Sequence, residues 1–447
     1  MKYKFPSDFE WGTASASYQI EGAFGEDGKG ECIWDRFCHI PGNISDGSTG
    51  DRACDFYHRY REDIAILKSL GIKVYRLSVS WPRIYPDGVG KVNSKGIDFY
   101  RNVLSCLREN GIKTAVTVYH WDLPQKLQDR GGWTNRDIVG WFAGYASTLY
   151  KELGDLVDYW ITLNEPYCAS MLGYWFGAHA PGYHDYSAAL LAAHHLLMAH
   201  GAAVKAYRET GLKAEIGITL NMNMVYPQNP DNPDDARVAL LMGQESNDLF
   251  GDPVYKGTYP KELFEHLRQR GVVLPDIHDG DMALINQDID FFGLNTYFPV
   301  TVKSDESAWP IPCKQADTGR PRTDMNWEIS PEGFYDLLKW IDSHYGQKKI
   351  IITENGAACN DWVNSDGKVE DPNRREYLKS YIAAMHRAMS EGVPVKGYYV
   401  WCFCDNFEWA HGLTRRFGMI YVDYKTQRRI PKESAYWYSN IIRDNGF

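Results

Sequence analysis

The chain has 447 residues, of which 44% are hydrophobic and 24% charged, and its formal net charge at pH 7 is −10. This composition is typical of a globular protein with a large core, and the scattered Lys and Arg residues form no basic stripe, so nucleic acid is not an expected partner. The nine cysteines have no repeating spacing, and we interpret them as reduced thiols of a protein in a reducing compartment, the cytoplasm.

The first elements of the chain alternate helix and strand. The N-terminal segment MKYKFPSDFEWG lacks the apolar core of a secretory signal, and no run of 18 apolar residues predicts a membrane span. In residues 61–70, Ile64, Leu67 and Leu70 lie at helical spacing. Gly71 then predicts the helix end, before the β-branched stretch IKVYRLSVSW. The same order recurs in residues 97–121, where a helical pattern and Gly111 precede IKTAVTVYHW.

Eight apolar stretches predict strands, and most are followed by a helical pattern. They are FEWGTASAS, KVYRLSVSW, KTAVTVYHW, VDYWITLNEP, AEIGITLNM, IDFFGLNTY, KIIITENG and VKGYYVWCF. Repeated strand–helix units with apolar strands predict a parallel sheet covered on both faces, and eight units favour a closed (β/α)8 TIM barrel, an α/β single domain spanning residues 1–447. No Gly-x-Gly-x-x-Gly motif follows a strand, which disfavours a dinucleotide-binding fold.

Two further segments, residues 303–324 and 193–200, have distinctive sequence patterns. Residues 303–324 are polar and hold three prolines, so we predict a long irregular loop there. His194, His195 and His200 cluster in AHHLLMAH, but their spacing does not suit one helix face, and we interpret them as structural residues of a helix. Neither Cys-x-x-Cys nor paired His at helical spacing occurs, so we predict no metal site.

Polar and aromatic residues concentrate at the C-terminal ends of the predicted strands, where a barrel builds its active site. Any one of them could instead cap a helix or pack at the rim. Their concentration at one end of successive strands favours a functional site. In strand order they are Gln19, Arg76, His120 and Trp121, Asn164 and Glu165, Asn221, Asn295 and Tyr297, Glu354, and finally Trp401 with Glu408 and Trp409 beyond it.

Two of these residues are carboxylates that directly follow apolar strands, Glu165 in ITLNEP and Glu354 in IITENG. Paired carboxylates carry out glycoside hydrolysis, in which one is a protonated acid and the other an ionised nucleophile or base. Arg76 and Tyr297 could hold the nucleophile ionised. These patterns leave the two roles exchangeable. A carboxyl separation of about 5–5.5 Å would predict retention of anomeric configuration, and about 6.5–9.5 Å inversion.

The sequence resembles the family 1 glycoside hydrolases, the β-glucosidase family, over essentially its whole length. The shared motifs are FEWGTASASYQIEGA, YRLSVSWPRIYP, YHWDLPQ, TLNEP, ITENG, DNFEWAHG and RRIPKESAYWY. The resemblance implies a (β/α)8 barrel, a retaining mechanism and no cofactor. It implies that Glu165 in TLNEP is the acid/base and that Glu354 in ITENG is the nucleophile.

The resemblance also implies roles for the surrounding residues. Arg76, Asn295 and Tyr297 match residues that position and polarise the nucleophile. Trp401 matches the stacking floor of the sugar pocket. The positions that match the glycone pocket are Gln19, His120, Trp121, Asn164, Trp401, Glu408 and Trp409. The positions that match the aglycone entrance are Cys168, Leu172, His179 and Trp327.

Two positions bear on substrate choice. Phospho-β-glycosidases lack a Glu at the position of Glu408, and this carboxylate would repel a phosphate, so we expect an unphosphorylated β-glucoside or cello-oligosaccharide as substrate. Glu165 excludes the thioglucosidase type, in which Gln replaces the acid/base.

The sixth strand ends in NTY where many relatives have NYY, and we expect Thr296 to point away from the pocket.

Three functional hypotheses remain open from the sequence. The first is hydrolysis of β-glucosides with side activity on β-galactosides and β-fucosides. The second is a non-catalytic sugar-binding protein on the same barrel, which the presence of both Glu residues with Arg76 and Tyr297 disfavours. The third is transglycosylation, in which a sugar or alcohol intercepts the covalent intermediate. The resemblance also leaves a homo-oligomer open.

Overall fold

The computed structural model describes residues 3–346 and 348–447. Eight strands form a closed barrel in which every neighbouring pair is parallel and consecutive, from β1 beside β2 around to β8 beside β1. The strands are β1 Glu10–Ala14, β2 Val74–Ser78, β3 Lys113–Tyr119, β4 Tyr159–Asn164, β5 Glu215–Asn221, β6 Phe291–Asn295, β7 Ile350–Asn355 and β8 Val395–Trp401. Each lies within one of the eight predicted stretches, so the predicted TIM barrel is confirmed.

Helices surround the barrel. Their bounds are α1 Ser17–Ile20, α2 Ile33–Cys38, α3 Phe56–Ser69, α4 Trp81–Ile84, α5 Ser94–Glu109, α6 Gln125–Gln128, α7 Ile138–Leu153, α8 Tyr186–Thr210, α9 Pro233–Gly243, α10 Leu249–Lys256, α11 Lys261–Gln269, α12 Asp281–Ile285, α13 Pro331–Tyr345, α14 Pro372–Ser390 and α15 Glu433–Asp444. Two π-helices, Cys168–Trp175 and Gln244–Asp248, add wider turns. The predicted helix of residues 61–70 is the second half of α3, and the next one is α5.

The barrel interior is layered because alternate residues of a strand point to the same face. Its apolar layer is formed by Val74, Ala115, Tyr159, Ile161, Phe291, Ile351 and Tyr399. Two residues farther along β2 and β3 come Arg76 and Thr117, which contact each other at 3.2 Å. Thr219 and Thr353 likewise lie two residues beyond Gly217 and Ile351, and their hydroxyls are 3.1 Å apart. A polar layer thus lies directly above the apolar one, toward the C-terminal ends of the strands.

The prediction of an irregular loop at residues 303–324 was wrong in part. Two short strands, Val300–Ser304 and Cys313–Gln315, pair antiparallel across this segment, and Val225–Pro227 joins the first of them in parallel. The polar, proline-containing sequence masked these strands because their hydrogen-bond partners lie elsewhere in the fold. The segment is therefore a small sheet attached to the barrel.

The long helix α8 carries the histidine cluster. His194 contacts Tyr259 and Asp281, His195 the carbonyl of Trp133, and His200 the hydroxyl of Thr162, all within 3.1 Å. These contacts confirm the interpretation of the three histidines as structural. Within the described ranges, α8 is also the one helix whose length and apolar composition would suit a membrane span. However, 78% of its most apolar stretch is buried inside the fold.

A buried ion network fixes the chain beyond β8. Lys432 is fully buried, and its Nζ lies 2.6 Å from Asp361 Oδ2 and 2.7 Å from Asp405 Oδ1. Asp405 also accepts a hydrogen bond of 3.0 Å from the backbone N–H of Gly418. Because Asp405 lies three residues before Glu408, this network ties the C-terminal segment to the loop that carries a predicted site residue.

We expect Lys432→Met to lower the free energy of unfolding by about 3 kcal/mol, because two buried carboxylates would lose a cation. The measurement is urea unfolding followed by Trp fluorescence. Lys425→Met is the matched control because Lys425 is exposed, and it should leave the midpoint unchanged. Equal stability of the two variants would contradict the structural role of this network.

Candidate active site

A cavity of about 420 Å³ opens at the C-terminal ends of the barrel strands. Most of the predicted site residues lie in its wall. These are His120, Trp121, Glu165, Cys168, Leu172, His179, Asn221, Asn295, Tyr297, Trp327, Glu354, Trp401, Glu408 and Trp409. The other three, Gln19, Arg76 and Asn164, are buried directly behind wall residues and bond to them. The fold therefore brings the whole predicted set together.

Arg76 holds the carboxylate of Glu354. Its guanidinium has no exposed surface and forms an ion pair with Glu354 Oε1. The same group donates to Asn164 Oδ1 at 2.6 Å and to Thr117 Oγ1 at 3.2 Å, so its orientation is fixed from three sides. The hydroxyl of Tyr297 donates to Glu354 Oε2 at 2.6 Å. Both oxygens of Glu354 thus face donors that favour its ionised form.

Glu165 is held differently, without a direct ion pair. Asn295 Nδ2 donates to Oε1 of Glu165 at 2.5 Å, and Cys168 Sγ donates to Oε2 at 3.0 Å. Asn295 also donates to Asn164 Oδ1 at 3.1 Å, which links the amide to the partner of Arg76. The side chain of Asn295 also bonds to Thr353, and its hydrogen bonding acts to lower the pKa of Glu354, so the expectation that Asn295 positions the nucleophile stays a prediction.

The electrostatic environment separates the two carboxyl groups. Burial, followed by the negative charge of Glu354, raises the pKa of Glu165 to about 7. Burial also raises the pKa of Glu354, but the charge of Arg76 and the hydrogen bond from Tyr297 act in the opposite direction. Because only Glu354 has a cation in direct contact, Glu165 is the better proton donor and Glu354 the better anion near neutral pH.

Glu408 lies in the cavity wall, and Gln19 is buried behind it. Gln19 Nε2 donates to the carbonyl of Phe407 at 2.9 Å and to Glu408 Oε2 at 3.4 Å. Burial, then the charges of Glu354 and Glu165, raise the pKa of Glu408 to about 8. Glu408 is thus largely protonated at neutral pH, and its repulsion of a phosphate is weaker than the sequence suggested. The described cavity wall nevertheless contains no Lys or Arg that could bind a phosphate.

His120 lies in the cavity wall and has a ring nitrogen without a partner among the described residues. Its Nε2 lies 3.0 Å from Nδ2 of Asn164, an amide nitrogen that can only donate, so Nε2 accepts and Nδ1 carries the proton. Nδ1 is buried and has no partner among the described residues. Burial, then the charge of Arg76, hold the pKa of His120 well below its ordinary value, so the ring is neutral. A neutral N–H suits a sugar hydroxyl.

Aromatic rings enclose the same space. Trp409 lies 4.5 Å from Trp121 and 5.9 Å from His120 between ring centroids, and Trp401 lies 6.1 Å from His120. Three wall residues, Trp121, Trp409 and Glu165, have positive φ values of 77°, 48° and 47°. Residues other than glycine rarely adopt this left-handed backbone conformation. Such backbone strain at three wall residues is typical of a functional site.

The cavity wall contains predicted entrance residues and also residues that the sequence did not single out. Cys168, Leu172, His179 and Trp327 line the cavity, their place at its entrance stays a prediction, and Trp327 packs 5.1 Å from Tyr297. Thr296 is also among the wall residues, and the expectation that its side chain points away from the pocket stays a prediction. The wall residues missed are Tyr167, Ala178, Asn223, Met242, Ser246, Phe298, Val300, Met325, Ala410, His411 and Phe417. Several lie in loops, but Met242 lies in α9, Ser246 in a π-helix and Val300 in a short strand, so no shared sequence pattern marked them.

Potential metal ligands also meet outside the cavity, although sequence spacing predicted none. Cys38, His39 and Asp51 place one ligand atom each within 4.8 Å of one another, and so does a second group that contains Asp248 and His344. In the second group, Lys256 Nζ lies 2.7 Å from His344 Nε2 and already supplies a cation. The catalytic chemistry described above uses neither group.

Comparisons with known proteins agree with this geometry. The sequence matches the family described as Glycosyl hydrolase family 1 over residues 1–447. Beta-glucosidase A of Acetivibrio thermocellus is 50% identical over 448 residues, covering 100% of both chains. The Bifunctional beta-D-glucosidase/beta-D-fucosidase of Bifidobacterium breve is 41% identical over 465 residues, covering 99% of this chain and 98% of the relative. The solved family 1 β-glucosidase from Thermotoga maritima has a TM-score of 0.97 at 48% identity, covering 100% of this chain and 99% of that one.

We expect Glu354→Gln to lower the pKa of Glu165 by about one unit or more, because a buried negative charge near it disappears while Arg76 remains. The measurement is a ¹³C NMR titration of side-chain-labelled glutamate, with the Glu165 signal assigned from its loss in Glu165→Gln. Glu215→Gln is the control, because Glu215 lies at the opposite end of β5 and pairs with Lys349. An unchanged or higher pKa would contradict the coupling.

Proposed function

Because the chain belongs to glycosyl hydrolase family 1, we propose that it is a retaining β-glucosidase in which Glu354 is the nucleophile and Glu165 the acid and then the base. One observation carries the assignment of roles. The carboxylate of Glu354 contacts a buried cation and a phenol, whereas Glu165 contacts only the uncharged donors Asn295 and Cys168.

The first step breaks the glycosidic bond. A carboxylate oxygen of Glu354 attacks the anomeric carbon, the bond from that carbon to the aglycone oxygen breaks, and Glu165 transfers its proton to the leaving oxygen. Tyr297 and Arg76 keep Glu354 ionised and oriented before the attack. The elevated pKa of Glu165 lets it hold the required proton at neutral pH.

The second step releases the sugar. Once Glu354 is esterified its charge is gone, and the second-largest cause of the raised pKa of Glu165 disappears with it. The pKa of Glu165 then falls, so its carboxylate can take a proton from water while the water oxygen attacks the anomeric carbon. The ester bond breaks, Glu354 is restored, and the sugar leaves with its original β configuration.

The substrate class follows from the cavity wall. Neutral His120, the Gln19–Glu408 pair and the tryptophan rings offer hydrogen bonds and apolar faces of the kind that bind a glucosyl ring. A largely protonated Glu408 can both donate to and accept from sugar hydroxyls. The wall has three carboxyl groups and no described Lys or Arg, which favours unphosphorylated terminal β-glucosyl residues of β-glucosides and cello-oligosaccharides.

Further properties belong to the same proposal. The name of the Bifidobacterium breve relative supports a side activity on β-fucosides. The covalent intermediate can be intercepted by a sugar or alcohol, so transglycosylation accompanies hydrolysis at high acceptor concentration.

All nine cysteines are free, which supports a reducing compartment, the cytoplasm, and a role there in degrading cellulose-derived oligosaccharides. We assign no cofactor, nucleic-acid or membrane partner, and a homo-oligomer is compatible with this function.

We expect Glu354→Gln to abolish turnover of nitrophenyl β-glucoside, because no carboxylate remains to attack. A 2-fluoro-glucoside should leave a covalent adduct on the peptide that contains Glu354 of the unaltered enzyme, detected by mass spectrometry after proteolysis. The first sugar product seen by ¹H NMR should be the β anomer. An adduct on another residue would sink the assignment, and an α anomer would refute retention.

Glu165→Gln should lower kcat/KM on cellobiose by about 10²–10⁴-fold, because the leaving oxygen loses its proton donor. Turnover of dinitrophenyl β-glucoside, whose leaving group needs no proton, should fall much less in the first step. The measurement is steady-state kinetics on both substrates. Equal losses on the two would contradict the acid role of Glu165.

A panel of nitrophenyl glycosides tests the substrate class. We expect the highest kcat/KM on β-D-glucoside, lower values on β-D-fucoside and β-D-galactoside, and negligible turnover of 6-phospho-β-D-glucoside, for which the described wall offers no cation. Strong turnover of the phosphorylated substrate would overturn this interpretation of the cavity while leaving the catalytic pair intact.

A further inference from the structure

The first turn after Glu165 places a thiol against its carboxyl group. Cys168 follows Glu165 by three residues, and the backbone N–H of Ala169 donates to the carbonyl of Glu165 at 3.2 Å, which folds the segment back in a helical turn. Residues three apart on such a turn face the same side. Cys168 Sγ thereby lies 3.0 Å from Oε2 of Glu165, and the residue is only 8% exposed.

We propose that Cys168 is a positioning residue for the acid/base, and that its S–H hydrogen bond to Glu165 sets the pH range in which Glu165 holds the catalytic proton. The inference rests on the proposed function, because it concerns the proton that Glu165 transfers. It adds to the expected place of Cys168 at the aglycone entrance a direct part in the protonation of Glu165.

The two oxygens of Glu165 have separate hydrogen-bond donors, an amide and a thiol, and the thiol is the weaker donor. Oε1 is held by Asn295, whose amide is fixed in turn by Asn164 Oδ1 and by the hydroxyl of Thr353. Among the described residues, Oε2 has one hydrogen-bond partner, the thiol. Because Oε1 accepts a hydrogen bond from an amide, Oε2 is the oxygen that can carry a proton and give it to a leaving group. The contact between Oε2 and the Cys168 thiol must break when that transfer occurs.

A thiol suits this exchange chemically. S–H is a weak donor and sulfur a weak acceptor, so Cys168 can donate to the Glu165 carboxylate and accept from the carboxylic acid. Breaking the contact as the leaving oxygen approaches costs less than breaking a bond to a hydroxyl or a cation. Burial, followed by the charge of Glu165, raises the pKa of Cys168 well above its ordinary value, so the group stays a neutral thiol that can donate.

Other titratable groups also face Glu165 and set the background for this contact. They are Arg76 on β2, Glu354 on β7, Tyr297 in the loop after β6 and Glu408 in the loop after β8. His120 and His179 in the wall are neutral, because burial lowers their pKa values. None of these groups donates directly to Oε2 in the described structure, so a substitution at position 168 changes this contact and leaves the surrounding charges in place.

The direction of the effect follows from which form the bond stabilises. Donation from S–H favours the ionised form of Glu165 and so lowers its pKa. We expect Cys168→Val, which is similar in size and has no donor, to move the basic limb of the kcat/KM pH profile upward by about 0.5 to 1 unit. Cys168→Ser restores a donor and should return the limb to the original position or below it.

The experiment measures pH profiles of kcat/KM on nitrophenyl β-glucoside for the unaltered enzyme and for Cys168→Val, Cys168→Ser and Cys168→Ala. Cys106→Val is the matched control, because Cys106 is a buried thiol on α5 away from the cavity. A shift in the Val and Ala variants that Ser reverses supports the proposal. Coincident basic limbs in all variants, or an equal shift in Cys106→Val, would overturn it.

A second measurement separates this inference from the proposed function. In a Glu165→Gln background, assayed with dinitrophenyl β-glucoside, Cys168→Val should no longer alter the pH profile, because the group whose proton it governs is gone. If the same shift persists there, Cys168 acts through another group and the inference fails. If the unaltered enzyme shows no glycosidase activity at all, the proposed function fails instead.

Discussion

The guanidinium of Arg76 is the contact on which the catalytic arrangement depends. It lies in the barrel interior with no exposed surface, two residues above the apolar layer, and reaches Glu354, Asn164 and Thr117, residues of three other strands. A buried cation needs such partners because leaving it unpaired would cost several kcal/mol. The same bonds that satisfy Arg76 therefore fix the nucleophile and the amide network that leads to Glu165.

Three carboxyl groups share a cavity that has one buried cation behind it. Burial raises the pKa of all three, but Glu354 alone among the three pairs directly with the buried cation of Arg76, which opposes the rise. This unequal division gives one barrel mouth an anion, a proton donor and a neutral sugar ligand at the same pH. The proposed mechanism would use this division directly, since esterification of Glu354 would remove a charge that raises the pKa of Glu165.

Much of this molecule could be predicted from local patterns. All eight barrel strands lie within the predicted stretches because each is an apolar run before polar residues, a pattern set by burial of the strand and opening of its C-terminal end. The strands of residues 300–315 were missed, because their polar sequence becomes a sheet only through pairing with Val225–Pro227. Thr296 and Asn223 were missed as wall residues because loop conformation has no periodic signature.

The sequence by itself determined the barrel and pointed to Glu165 and Glu354 as a pair, and the motif resemblance implied the separate roles that we propose for them. The tertiary structure alone decided the environment of each group. The contact of Asn295 with Glu165, the thiol of Cys168 on Oε2, and the near-neutral state of Glu408 depend on distances and burial between residues far apart in the chain. Residue type fixes what a side chain can do, but its pKa and its partner depend on where the fold places it.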